Sequence, residues 1–174
     1  MPQQTDDRQQ PSFPVPVLVS RLLALLDTCA HLVDQIPAAT LHRRLPDRER
    51  TRLDLAYHVS QVVVAFLDAA LGGRLTREHF ERRPPGHLQE AADVARLTRS
   101  VSQAVAVWWG ANRTRLPDAI DTFDGREPLD TALGRTVRHV ARHARQLERI
   151  LRDDGIEPSP GLPPALADDL GPLE

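Results

Sequence analysis

The sequence predicts an all-α fold, a four-helix bundle with long inter-helix loops. Four segments of about twenty residues repeat apolar side chains at helical spacing, and proline or glycine breakers separate them. No run of β-branched residues alternates with polar ones between turn signals, so no strand is expected. At 174 residues the chain is the size of one ordinary domain. Folding at that length buries roughly 70% of the unfolded surface, enough for a core without staples.

The first helix spans residues 17–36, with Leu18, Leu22, Leu25, Leu26, Cys29 and Leu32 on one stripe and Pro37 as its stop. The second spans 52–71. Thr51 with Asp54 three residues on resembles a capping box, Leu55, Val59, Val62 and Phe66 mark the buried face, and Gly72-Gly73 closes the end. The third spans 88–116, between Pro84-Pro85-Gly86 and Pro117, with Val94, Leu97, Val101, Val105 and Trp108 inward. The fourth spans 130–153 and stops at Gly155, with Leu133, Val137, Val140, Ala144 and Leu147 inward. The connections 37–49, 72–87 and 117–129 are long for tight antiparallel hairpins, which favours at least one crossover. Residues 1–14 read as a flexible tail, 15–155 as the bundle, and 156–174 as a proline-rich tail that lies extended over it.

Composition narrows the function. Hydrophobic residues are 41% and aromatics only 4%, so Leu, Val and Ala fill the core. All 22 basic residues are arginine and 24 are acidic, a net charge of −2. That balance argues against a general nucleic-acid or anionic-membrane binder. One cysteine excludes a disulfide framework or a cysteine-rich zinc fold. The N-terminus MPQQTDDRQQ has no apolar signal core, and the run from Val15 to Leu26 is interrupted by Arg21 and too short to span a bilayer. A soluble cytoplasmic protein is expected.

Seven histidines are the richest chemical resource. His139 and His143 stand four apart in HVARHARQ, which puts two imidazoles one turn apart on one helix face, at the edge of the apolar stripe. The spacing alone is weak evidence, because boundary histidines commonly hydrogen-bond a neighbour. His58 on the second helix also flanks an apolar stripe. Three neutral histidines from two helices would hold a divalent cation with positions left open, the pattern of a catalytic site rather than a closed structural one.

The segments RTRLDLAYHV and, about eighty residues later, LGRTVRHVARHARQLERIL resemble the DinB-like (YfiT-like) metalloenzyme superfamily, over roughly residues 17–153. The resemblance implies a four-helix bundle in which a histidine of the second helix and an H-x-x-x-H of the last supply three metal ligands. These fall on His58, His139 and His143. It makes segment 118–129 the lead-in to the last helix and a homodimer a reasonable expectation. It also implies use of a low-molecular-weight thiol, of the mycothiol or bacillithiol type, for S-transfer or thiol-assisted isomerisation of a small electrophile.

The chemistry of the residues agrees. Three imidazoles suit zinc, nickel or iron, and a cation so held acidifies water or a thiol or polarises a carbonyl. Val140 stands where H-E-x-x-H carries its glutamate, so no helix-borne general base is present. A thiol transferase needs that base less than a hydrolase does, since the thiolate is itself the nucleophile. Asp54, one turn before His58, is either a base or partner for a hydrolase or simply half of the capping box. A metal-dependent hydrolase and a non-enzymatic metal- or partner-binding bundle are the alternatives.

The remaining candidates read more plainly. Cys29 is a small core residue, and Trp108 belongs to the core. His31, His42, His79 and His87 are expected at the surface. Trp109 and Asn112 would flank a pocket whose walls come from the first and third helices and the loops, and Gln61 and Gln146 lie near the histidines. Arg135, Arg138, Arg142, Arg145 and Arg149 form a solvated face laced with ion pairs. No aromatic residue is interleaved with them to favour nucleic acid.

Overall fold

The helices start and stop where local chemistry says they must. In the computed structural model, which describes residues 13–46 and 49–167, α1 (Val15–Asp34) begins with prolines in its first turn, where a missing N–H costs nothing. The short α2 (Ala38–Leu41) follows Pro37. The longer α3 (Arg52–Ala70) opens on the capping box read from the sequence: Asp54 N–H donates to Thr51 Oγ1 at 3.1 Å, and Thr51 N–H donates to Asp54 Oδ2 at 2.7 Å. It ends in a Schellman turn, Gly73 N–H donating to the Asp68 carbonyl at 2.9 Å around Gly72 at φ 99°. After the short α4 (Glu78–Glu81), α5 (Ala91–Asn112) opens on a capping box between Glu90 and Asp93. The last long helix, α6 (Leu129–Asp153), stops in the same way as α3. Ile156 N–H donates to the Leu151 carbonyl at 2.9 Å around Gly155 at φ 77°. A side chain at either glycine would be forced into the left-handed region.

The described chain is mostly helical, and four long helices share one core. Each of α1 and α3 packs against both α5 and α6, while α1 and α3 hardly meet. Individual contacts give the directions. Ser60 bonds Thr98 at 3.0 Å and Phe66 meets Trp108 edge-on at 5.7 Å, so α3 and α5 run parallel. Arg52 at the start of α3 pairs with Asp154 at the end of α6, so those two run antiparallel. Arg99, early in α5, pairs with Asp34 at the end of α1. Parallel neighbours cannot be joined by a tight turn, so the chain between α3 and α5 must travel back along the helices. This crossover is the one the long connections predict. Leu22, Leu26, Leu32, Phe66, Leu147 and Leu151 are among the fully buried side chains. The core is aliphatic, as the scarcity of aromatics requires.

The expectation of no strand is wrong. Segment 118–129 forms a hairpin, β1 (Ala119–Thr122) against β2 (Gly125–Pro128), with Ile120 opposite Glu127 and Asp121 opposite Arg126. Phe123 and Asp124 make the turn, Gly125 takes φ 110°, and Thr122 Oγ1 donates to the Gly125 carbonyl at 2.9 Å. Asp, Gly, Glu and Pro disfavour strands and hide it from periodicity, but Asp-Gly is a hairpin signal. The hairpin also receives the crossover, Leu75 N–H donating to the Asp121 carbonyl at 2.9 Å. The third helix is shorter than expected at both ends, because 88–90 belong to its cap and 113–116 lie beyond it.

Two helices, α1 and α3, are long and apolar enough to cross a membrane, at mean hydropathy 1.5 and 1.2, and their apolar residues enter the shared core. Downstream of α6 the chain lies on the helices. Ser159 N–H donates to Gln35 Oε1 at 2.9 Å, Leu162 N–H donates to Glu148 Oε1 at 2.5 Å, and Ile156, Leu162 and Leu166 pack on the core, the last from the short α7 (Pro164–Ala167). The tail expected at 1–14 falls almost wholly outside the described residues.

Candidate metal centre

His58 sits near the middle of α3, a helix buried around most of its circumference, and is 5% exposed. Antiparallel packing sets it opposite His139 and His143 on α6. The three Nε2 atoms converge: His58 to His139 at 3.2 Å and His143 to His139 at 2.9 Å, with all three ligand atoms within 4.8 Å of one another. His143 Nδ1 meets Gln146 Oε1 at 2.7 Å. The amide oxygen is an acceptor, so Nδ1 carries the proton and Nε2 presents its lone pair to the other two rings.

This donor set fits a cation. Two imidazole nitrogens on one tetrahedral zinc ion lie about 3.3 Å apart, from Zn–N bonds of about 2.0 Å. The observed separations of 2.9 and 3.2 Å need only small adjustment. One proton on His139 Nε2 points along one N···N line at a time, whereas a central cation is shared by all three. Burial, helped by charge on His143, Arg142 and Arg50, pushes His139 down from its ordinary value of 6.5 to about 4. It is therefore neutral at pH 7, as a metal ligand must be.

The crossover closes over the triad. Phe80, on α4, lies 6.1 Å from the His58 ring and 6.1 Å from the His139 ring, centroid to centroid. Phe123 at the hairpin tip meets Phe80 edge-on at 5.9 Å, and Arg77 and Arg135 stack over Phe123. Beside these rings a cleft of about 240 Å³ opens onto His58, lined also by Glu49, Arg50, Asp54, Phe80, Glu81, Arg82 and Arg83. Its walls come from α3, its preceding loop and the crossover. The expected contribution of the loops is found in this cleft, that of the first and third helices is not, and Trp109 and Asn112 are not among its lining residues.

Asp54 lines this cleft, but its Oδ2 already accepts from Thr51 N–H at 2.7 Å and Thr51 Oγ1 at 2.8 Å. Gln146, expected near the histidines, bonds His143 through its amide oxygen, as an acceptor. Gln61 is buried, and its Oε1 has no hydrogen-bond partner among the described residues. Cys29 is fully buried, and burial pushes its thiol up to about 12, which makes it inert. His42 and His87 are exposed, and His31 is half-exposed with Nδ1 at 2.8 Å from the Asp27 carbonyl. His79 differs from its surface expectation. It is half-buried, accepts from Thr76 N–H at 3.1 Å and fixes the crossover. On the arginine face, Arg135 bonds Glu127 at 2.8 Å, while Arg142 and Arg149 are exposed.

Arg50 and Phe80 escape the sequence reading, because nothing in their local pattern says that a loop and a crossover meet at His58. The chain matches no family model, no curated protein and no solved structure.

Proposed function

We propose that the chain is a DinB-like four-helix bundle that binds one divalent cation through His58, His139 and His143, and that it is a metal-dependent transferase using a small cellular thiol of the mycothiol or bacillithiol type. The observation that supports it is the convergence of three Nε2 atoms beside an open cleft. The cation supplies Lewis acidity, which lets a thiol lose its proton near neutral pH. His139, held neutral by burial, donates its lone pair without competition from protons, and Gln146 fixes the tautomer of His143. Phe80 and Phe123 keep water from one side of the triad. In the reaction the sulfur forms a bond to an electrophilic carbon, the bond from that carbon to its leaving group breaks with the electron pair going to the leaving group, and the thiol proton passes to solvent.

Hydrolysis with Asp54 as base is the second reading, favoured by Asp54 and His58 lining the same cleft. One assay separates them. Zinc-loaded protein is given a chloro-dinitrobenzene with and without mycothiol, bacillithiol or a cysteine derivative, and separately an activated ester. The transferase reading expects metal-dependent release of chloride and a thioether only when thiol is present, unchanged in Asp54→Asn. Ester cleavage without thiol, lost in Asp54→Asn while metal stays bound, selects hydrolysis. Absence of metal-dependent turnover with every thiol rejects the transferase.

A further inference from the structure

The same cleft carries information about what enters it. Two of its residues besides His58 and Phe80 are half-buried, Arg50 and Asp54, whereas Glu49, Glu81, Arg82 and Arg83 are exposed at the rim. The rim therefore balances two cations against two anions. The floor holds one cation, Arg50, and one anion, Asp54, and the two differ in how they are engaged. The Asp54 carboxylate is engaged at Oδ2 by both the backbone and the hydroxyl of Thr51. Arg50 places one of its five guanidinium donors on the Phe80 carbonyl at 3.2 Å, the residue whose ring lies against two of the histidines. Its position is fixed on both sides, since its carbonyl accepts from Leu45 N–H at 2.9 Å and the capping box begins at the next residue. A divalent cation at the triad adds positive charge to the same floor.

We infer that this cleft selects a small carboxylate-bearing molecule, its carboxylate held by Arg50 and its other end directed at the triad. A planar guanidinium matches a carboxylate in a way that a point charge does not. At about 240 Å³ the space is below the roughly 300–1,000 Å³ of sites for drug-sized ligands. It suits a short organic acid rather than a nucleotide or a peptide. The assignment names the substrate class of the proposed metal site and rests on that reading.

Binding of succinate, its neutral isostere succinamide and inorganic phosphate to the cobalt-loaded protein tests it, by calorimetry and by the visible cobalt spectrum. Wild type is expected to bind succinate at least about tenfold more tightly than succinamide, and Arg50→Gln to lose about 10- to 100-fold, the range for a charge-assisted contact. Arg50→Lys should keep part of the affinity, which guards against a folding defect in the glutamine variant. Arg149→Gln, on the exposed face of α6, should bind succinate as wild type does. Equal binding of succinamide, undiminished binding by Arg50→Gln, or a loss in Arg149→Gln as large as in Arg50→Gln would overturn the assignment. Phosphate binding tighter than succinate overturns the carboxylate class. A protein that takes up no cobalt refutes the metal reading instead. Arg50-dependent succinate binding to that metal-free protein still supports the cleft assignment, and its absence removes it.

Discussion

Acid should weaken the metal-free protein through one histidine, by an amount the site geometry sets. His139 is pushed from 6.5 to about 4, first by burial and then by charge on His143, Arg142 and Arg50. Unfolding returns it to its ordinary value, so between those two pH values the unfolded chain binds a proton that the folded chain refuses. Stability therefore falls as pH falls through 6.5, and this contribution levels off near pH 4. At about 1.4 kcal/mol per unit, the loss is about 2 kcal/mol by pH 5 and about 3 kcal/mol by pH 4. The assay is urea unfolding of chelator-treated protein at pH 7.5, 6, 5 and 4, for wild type and His139→Gln. Glutamine does not titrate, so the variant should lack this slope, and the difference between the two curves isolates the histidine from carboxylates that titrate in both. Parallel loss of stability in the two proteins would refute the reasoning.

Gln146→Ala frees the Nδ1 side of His143 and should weaken zinc binding about 10- to 100-fold by competition titration, with one site per chain retained. Asp154, bonded by Arg52 and Thr40, is held down at about 2, so its stabilisation is present above about pH 4 and disappears as pH falls toward 2. Asp154→Asn should lower the thermal midpoint by several degrees at neutral pH, measured by circular dichroism, and make little difference near pH 2. Cys29 should resist thiol reagents in the folded protein and react only at the rate of unfolding, followed by mass spectrometry with and without urea.

Much of the helical framework was legible because helix boundaries are written locally. Thr51 and Asp54 form the capping box, Gly72 and Gly155 take the left-handed turns, and Pro37 follows the end of α1. The hairpin was not legible, because its strands are too short and polar for a period to register, and β1 gains its bond from Leu75, far away in sequence. The histidine triad was readable partly for a related reason and partly through the family resemblance of the two segments that carry it. His139 and His143 are one turn apart, and His58 flanks a stripe that must face another helix. Gln146 follows at three residues, within helical reach. Arg50, Phe80 and Phe123 were not readable as parts of the site. Parallel packing of α3 and α5 forces the crossover to travel along the helices, and only that path brings α4 and the hairpin tip onto the triad.

Metal content decides the central claim. Protein purified without a polyhistidine tag, incubated with zinc and dialysed against metal-free buffer, is analysed for bound metal alongside His58→Ala, His139→Ala and His143→Ala. Three converging Nε2 atoms predict about one equivalent per chain in the wild type and less than about a tenth in each variant, since metal sites depend on every ligand of the set. A wild type holding less than about a tenth of an equivalent, or a His143→Ala protein that holds as much metal as the wild type, would contradict it.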